Sequence, residues 1–457
     1  MTRLKALDSL ALGFMTFALF LGAGNIIFPP SAGMAAGENL AIASLGFLLT
    51  GVGLPLLTIV ALARVGGGMA ELTKPMGTLA GTILAVAVYL VIGPMFATPR
   101  TAVASFEIGV TPFIGHSTIG LLVYTLIFFT IVLALTLYSG RLIDTVGKTI
   151  TPVLMLALIV LGIAGIFFPA DAIGPATGEY LEQPLVKGFV EGYLTMDALG
   201  ALVFGIVIAK AIRDRGVTEP ALVTRYSIIA VCIAALALAS VYISFFYLGA
   251  GSHNLAKGAT NGGQILAAYV QHTFGTSGLI LLAAVIVLAC LTTAVGLMAA
   301  CGEYFSKLLN KPYWLTSTIF VVTSFLISNV GLTQLIKLSI PVLMGLYPLA
   351  IVLVLLSLLD RFWISSKRVI VPVMAVTLIF AIADGLAAAG IGNWTQWALE
   401  VSSPESFSHN LVSTLDMYVG GFFRGLPLAN MALGWLVPAT LATVIAVIYD
   451  RASSRTV

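Results

Sequence analysis

Apolar runs of about 20 residues recur along the whole chain, and they restrict its fold more than any other feature. Hydrophobic residues make up 59% of the 457 residues, and charged residues make up only 9%. Soluble domains carry about 25% charged residues, so a soluble fold of this length has no means of hiding so much apolar surface. The sequence therefore predicts an all-α integral membrane protein whose helices cross the bilayer repeatedly.

We predict twelve transmembrane helices from the positions of these runs. Their predicted spans are 8–33, 41–63, 76–99, 118–138, 149–168, 191–212, 226–249, 277–302, 313–329, 333–357, 369–390 and 426–449. The predicted outer loops include 169–190, 250–276 and 391–425. With the N-terminus placed in the cytoplasm, 17 of the 22 Lys and Arg residues fall on the cytoplasmic side. Because cytoplasmic loops are enriched in Lys and Arg, this distribution favours twelve spans with both termini in the cytoplasm.

The first predicted helix is interrupted by the sequence GAGN, Gly22 to Asn25, about where it reaches the middle of the bilayer. Pro29 and Pro30 follow this interruption. An unpaired backbone group in lipid costs several kcal/mol, so an interruption at this depth indicates that the exposed groups bind something else.

The sixth predicted helix is interrupted in a similar way by Gly192, Thr195, Asp197 and Gly200. Helices 1 and 6 are five helices apart, and an odd number of spans per unit inverts the second unit in the membrane. Broken helices in corresponding positions of inverted halves indicate a transporter binding site. The N–H end of a broken helix binds a carboxylate, and the C=O end binds an ammonium group or a sodium ion. An amino acid zwitterion uses both ends at once.

Further polar residues in apolar spans are candidates for function. Thr292 and Thr293 supply two adjacent hydroxyls that suit a sodium site, although each hydroxyl also has the option of bonding the carbonyl one turn earlier. Asp197 is either a functional acid within a span or an acid at an outer vestibule. Arg100 and Glu107, seven residues apart, share a helix face and form either a gate or a structural pair.

Other classes of protein find little support in the sequence. It contains no HExxH, GxSxG or Walker motif, so we predict no enzymatic activity and no organic cofactor. It shows no basic patch of the nucleic-acid-binding kind, and we infer no obligate protein partner. A channel requires a continuous polar pore and a filter loop, and neither is evident.

Several stretches resemble the bacterial branched-chain amino acid carriers, the BrnQ or LIVCS family. These stretches are ALGFMTFALFLGAGNIIFPP, GPMFATPRTAVASFE, GYLTMDALGALVFGIVI, RGVTE, AYVQHTFG and SNVGLTQLIKLSIPVL, and the resemblance runs from helix 1 to helix 12. The family is similar to the APC superfamily, which implies a LeuT-like fold of two inverted five-helix repeats. Residues 1–168 and 191–357 would form the repeats, and residues 369–457 would hold helices 11 and 12.

The resemblance also implies a function and a site. It implies a symporter of the bacterial inner membrane that imports leucine, isoleucine and valine with Na⁺ as the coupling ion. The residues implied for the substrate carboxylate are Gly22, Ala23, Gly24 and Asn25. Those implied for the amine and the side-chain pocket are Tyr193, Thr195, Met196, Asp197 and Gly200. The sodium ligands implied are the carbonyls of Ala18, Leu21 and Ala289 and the hydroxyls of Thr292 and Thr293.

Two alternatives remain open within transport. One is a proton-coupled carrier of the same substrates, which Asp197 keeps open. In proton- or lysine-dependent relatives of the fold that the resemblance implies, a lysine in helix 5 takes the place of the cation. Predicted helix 5 has no base in its middle, which favours Na⁺. The other alternative is a carrier of another apolar amino acid.

Overall fold

A computed structural model describes residues 4–66, 68–137, 142–390, 423 and 425–453, with the backbone alone for residues 142–153. All the secondary-structure elements that it describes are helical. The all-α prediction is therefore confirmed for these parts of the chain.

The helices are numbered here in chain order. In the first half of the chain they are α1 (Ala6–Phe20), α2 (Ala23–Ala36), α3 (Leu40–Leu48), α4 (Leu54–Val65), α5 (Met69–Thr73), α6 (Thr78–Leu90), α7 (Ala97–Gly109), α8 (Thr111–Ile114), α9 (Thr118–Leu137) and α10 (Leu142–Phe167). They continue with α11 (Pro184–Glu191), α12 (Asp197–Arg213), α13 (Pro220–Ala250), α14 (Gly262–Leu309), α15 (Tyr313–Ser328), α16 (Leu332–Leu358), α17 (Ser366–Ala388) and α18 (Leu436–Ser453).

Eight helical stretches among the described residues are long and apolar enough to cross a membrane, or nine if the bent pair around residue 196 counts as one span. Three shorter apolar helices lie at Ala6–Phe20, Leu154–Phe167 and Tyr313–Ser328. Each of the twelve predicted segments overlaps helical residues. The repeated crossing of a membrane is thus supported, while the number twelve and the inverted repeats remain predictions.

The contacts between helices divide the chain into two compact units. The first unit comprises Met1–Glu71 and Ala85–Ile336, and the second comprises Leu72–Leu84 and Lys337–Val457. The predicted domains 1–168, 191–357 and 369–457 describe internal repeats, which this division does not test.

In the first unit, α2 and α1 pack against α13, α7 packs against α14, and α11 packs against α3. Glycines bring α3 and α11 into backbone contact. A Cβ atom on Gly46 would collide with the carbonyl oxygen of Leu185, and one on Gly188 would collide with that of Ala43. This reciprocal contact fixes the position of α11 against α3, and α11 is the first part of the second broken helix.

The helix α14 differs from the sequence prediction at its start. We predicted an outer loop over 250–276, but the helix already begins at Gly262. The side chain of Asn261 accepts a hydrogen bond from the Gln264 N–H at 3.2 Å and caps this end. A bend at Gly275 (φ 64°, ψ −161°) then redirects the helix. The predicted loop 391–425 lies almost entirely outside the described residues.

In the second unit, α17 and α18 cap each other with buried carboxylates. Asp450, near the end of α18, accepts hydrogen bonds from the N–H groups of Ile364 (2.6 Å) and Ser365 (3.3 Å) ahead of α17. Asp384, near the end of α17, accepts backbone hydrogen bonds from Gly434 and Trp435 ahead of α18. Each carboxylate thus satisfies N–H groups that a helix start leaves unpaired, and it complements the positive end of the helix dipole.

We expect Asp450→Ala to destabilise the protein because it leaves the part-buried N–H groups of Ile364 and Ser365 without their acceptor. The expected loss is about 0.5–2 kcal/mol, the usual cost of replacing a capping Asp by Ala. The measurement is the thermal midpoint of unfolding in detergent. The matched control is Asp360→Ala, at an exposed position in the 3₁₀ turn Asp360–Phe362 between α16 and α17. Equal midpoints for the two variants would contradict the capping role.

Candidate functional site

The first helix is broken at Leu21 and Gly22, between α1 and α2. Leu21 (φ −68°, ψ 91°) and Gly22 (φ −119°, ψ −167°) are both extended. The Gly22 N–H donates to Asn25 Oδ1 at 2.9 Å, and the Leu21 carbonyl accepts from Thr293 Oγ1 at 3.0 Å. Pro29 and Pro30 lie inside α2, so the break precedes them. The first turn of α2, residues 23–25, therefore presents N–H groups that have no partner within the helix.

The second break separates α11 from α12. After α11, one 3₁₀ turn, Gly192–Thr195, leads to Met196, which has left-handed backbone angles (φ 64°, ψ 11°). The two parts are bent by 43°. A residue other than glycine in this left-handed conformation costs about 1–2 kcal/mol. Asp197 begins α12, so its side chain lies directly at the break.

A buried hydrogen-bond cluster joins the two broken helices. The Asp197 Oδ2 atom accepts a hydrogen bond from Asn25 Nδ2 at 2.7 Å and from Tyr242 Oη at 2.5 Å. Asn25 Nδ2 also contacts Tyr242 Oη. All three residues are at most 4% exposed. Our sequence reasoning missed Tyr242, because nothing in the apolar run VYISFFY distinguishes its hydroxyl from that of a packing residue.

Arg100 and Glu107 of α7 bind different groups. Arg100 Nη1 donates to the Leu194 carbonyl at 2.7 Å, and Nη2 donates to the Thr195 carbonyl at 3.3 Å. Glu107 accepts a hydrogen bond from Asn261 Nδ2 at 2.9 Å. Arg100 therefore belongs to the second helix break, whereas Glu107 belongs to the start of α14.

One cavity lies between the two breaks. It is lined by Leu19, Phe20, Gly22, Ala23, Gly24, Asn25, Ile92, Ala97, Arg100, Thr101, Thr195, Met196, Asp197, Gly200, Phe204, Thr293 and Leu297. This set includes all the residues predicted to bind substrate except Tyr193, which is fully buried with its ring packed on Phe189 at 5.6 Å between centroids. The cavity volume is about 30 Å³, which is room for about two water molecules.

The predicted sodium ligands form two hydrogen-bonded pairs of oxygens. Thr293 Oγ1 lies 3.0 Å from the Leu21 carbonyl oxygen, so a contact joins α14 to the end of α1. Thr292 Oγ1 donates to the Ala289 carbonyl at 2.9 Å, which is the bond within the helix that the sequence left open. Ala18 lies in the last turn of α1. Neutral carbonyl and hydroxyl oxygens are suitable ligands for a hard cation.

An apolar helical protein with two broken helices that meet at one buried cavity has the architecture of a secondary transporter. The sequence model of the family described as "Branched-chain amino acid transport protein" matches residues 5–453. The chain therefore belongs to the branched-chain amino acid transport protein family. It is a transport protein and not an enzyme.

Two relatives match over almost their full length. The branched-chain amino acid transport system 2 carrier protein of Pseudomonas aeruginosa is 61% identical over 451 residues, covering 99% of this chain and 98% of the relative. The branched-chain amino acid permease BrnQ of Escherichia coli is 48% identical over 457 residues, covering 100% and 98%.

A solved structure shares the fold. It is that of Mhp1, a nucleobase-cation-symport-1 family transporter, in a closed conformation with bromovinylhydantoin bound. The TM-score is 0.55 at 14% identity, covering 89% of this chain and 96% of that one. At this identity the likeness concerns the fold alone.

Proposed function

We propose that this chain is a symporter that imports leucine, isoleucine and valine across the bacterial inner membrane. The family and the names of the two relatives support the substrate class. The structural observation that carries the proposal is that both helix breaks line one cavity. Groups that would otherwise pair within a helix are thereby available to a small zwitterion.

The two ends of the zwitterion require different partners. The first turn of α2 offers backbone N–H groups and a partial positive charge, which suit the carboxylate. Asp197, buried at the start of α12, offers an opposite charge to the ammonium group. In this proposal Gly22–Asn25 hold the carboxylate, and the second break holds the amine.

The rest of the cavity suits an aliphatic side chain. Its apolar lining includes Phe20, Ile92, Phe204 and Leu297. Burying a leucine-sized side chain contributes about 1.5–3 kcal/mol, and one methylene changes affinity by about 1–3 kcal/mol. All three branched-chain amino acids should therefore be accepted with weak discrimination. Because the cavity has a volume of about 30 Å³, the lining must separate to admit them.

We propose Na⁺ as the coupling ion, held between α1 and α14. Its ligands are the carbonyls of Ala18, Leu21 and Ala289 and the hydroxyls of Thr292 and Thr293. The contact of Thr293 with Leu21 supports this arrangement. Because the break after α1 would then serve both the ion and the substrate, each would favour binding of the other, typically by about 1–3 kcal/mol.

We expect Thr293→Val to weaken the dependence of uptake on sodium. The sodium concentration for half-maximal leucine uptake should rise about tenfold, which is within the usual range of such coupling. Thr292→Ala should also raise it. The measurement uses proteoliposomes with sodium high outside. Thr130→Val is the control, since Thr130 Oγ1, like Thr292 Oγ1, donates to a carbonyl of its own helix (Leu126, 2.7 Å) but lies at an exposed position on α9.

The same experiment tests the proton-coupled alternative. The cluster of Asp197, Asn25 and Tyr242 favours this alternative, because it places a carboxylate in a hydrogen-bond network at the site. Leucine uptake that is as fast with choline and a pH gradient as with sodium would reject sodium coupling. Uptake that requires sodium at constant pH would reject the proton mechanism.

We further propose the LeuT-like arrangement of two inverted repeats, membership of the APC superfamily and cytoplasmic termini. The likeness to the fold of Mhp1 supports the first of these. The distribution of Lys and Arg along the sequence supports the orientation.

A further inference from the structure

Two oppositely charged side chains face the cavity. Among the described residues that line it, Arg100 is the one cation and Asp197 is the one anion. They are 3% and 4% exposed, respectively. A buried charge is costly unless it has a partner, so a site with both signs is suited to a ligand that also carries both.

The guanidinium of Arg100 lies at the first turn of α2. A Cβ atom built on Gly24 would be 2.8 Å from Arg100 Nη2 and 2.9 Å from the Thr195 carbonyl oxygen. The guanidinium also donates to the Leu194 and Thr195 carbonyls. It therefore lies between the two breaks, beside the N–H groups proposed to receive the substrate carboxylate.

The charges at this point favour an anion. The positive end of the α2 dipole and the guanidinium reinforce each other there. The planar guanidinium also matches a carboxylate in geometry and binds it with two parallel hydrogen bonds. The carbonyls of Leu194 and Thr195 accept its hydrogen bonds, and the Phe28 ring of α2 lies 5.1 Å from the Arg100 Cζ atom.

We propose that Arg100 makes the site specific for ligands with an α-carboxylate, by pairing its guanidinium with that group. Asp197 meanwhile faces the ammonium group. This inference rests on the proposed function and adds a residue to it. The competing explanation is that Arg100 only holds the Leu194 and Thr195 carbonyls in place.

The test compares L-leucine with 3-methylbutylamine, which is leucine without its carboxylate. Binding of each to purified protein in detergent with sodium is measured by calorimetry for the wild type, Arg100→Met and Arg100→Lys. The wild type should prefer leucine. In Arg100→Met this preference should fall by about 10- to 150-fold, corresponding to the loss of a hydrogen bond to a charged group. Arg100→Lys should keep the preference at lower affinity.

The matched control is Arg225→Met, which removes a charge from an exposed position on α13. It should leave both affinities unchanged. If Arg100→Met weakens both ligands by the same factor, or if both Arg100 variants bind neither ligand, the role is structural and the proposal is overturned. Failure of the proposed function is distinguishable, because it would appear as a wild-type protein that neither binds nor transports leucine.

Discussion

Gly24→Ala is expected to reduce leucine uptake about 100-fold. The new Cβ atom would lie 2.8 Å from Arg100 Nη2, 2.9 Å from the Thr195 carbonyl oxygen and 3.0 Å from Thr195 Cα. Two of these atoms are backbone, and the third belongs to a side chain bonded to that backbone, so no flexible group is available to yield. The first turn of α2 and the second break must therefore move apart.

The expected size follows from the precision that such a site requires. Overpacking a buried contact costs about 1–3 kcal/mol, and a misplacement of about 1 Å at a site that aligns groups can reduce a rate about 100-fold. We expect a loss of uptake of that order. The measurement is the initial rate of leucine uptake per amount of protein in the membrane.

Gly345→Ala is the matched control for this experiment. Gly345 lies in α16, and the nearest heavy atom to its Cβ position is the Ala381 carbonyl oxygen at 3.7 Å, an ordinary contact. This variant should transport normally. If Gly24→Ala transported at the control rate, the close approach of the two broken helices would not be needed for function.

Asp197→Asn is expected to cause the second large loss. This change keeps the shape of the side chain but removes the charge proposed to face the substrate ammonium. A hydrogen bond to a charged group contributes about 1.5–3 kcal/mol, so the KM for leucine should rise by about 10- to 150-fold. Measurement of KM and of the maximal rate in proteoliposomes distinguishes weaker binding from misfolding. A wild-type KM in this variant would show that Asp197 does not bind the amine.

Tyr242→Phe separates the charge of Asp197 from its positioning. The phenylalanine keeps the ring, which packs edge-on against Phe47 at 5.3 Å, and removes only the hydroxyl that donates to Asp197. A hydrogen bond to a carboxylate contributes about 1.5–3 kcal/mol at most, and Asn25 still donates to the same oxygen atom, so the KM should rise by less than in Asp197→Asn.

The approximate positions of both helix breaks could be predicted from the sequence. In an apolar run, the GAGN sequence and the cluster around Asp197 indicate an interruption of the helix. The structure places the breaks at Leu21–Gly22 and at Met196. The prolines after GAGN were less informative, since α2 continues through both of them.

The hydrogen-bond partners of the polar side chains could not be predicted from the sequence. The sequence showed that Arg100 and Glu107 share a helix face, but it gave no means of finding the Leu194 carbonyl or Asn261 opposite them. Tyr242 gave no signal, because a hydroxyl at the end of an aromatic ring is common in apolar spans. The role of Asp384 as a cap for α18 depends on a helix more than 40 residues away in the chain.

Composition and local pattern were therefore sufficient to establish a helical membrane protein with two interrupted helices. The reason is that lipid offers no hydrogen bonds, so the backbone N–H and C=O groups of each span must be paired within its helix. A span that cannot pair them contains residues that interrupt a helix, and these are visible in the sequence. The packing of the helices was needed to bring Arg100, Asp197 and Tyr242 to one cavity and Thr293 to the end of α1. Such meetings depend on how each helix is rotated about its axis and how closely glycines let it approach, and these are properties of pairs of helices rather than of any single segment.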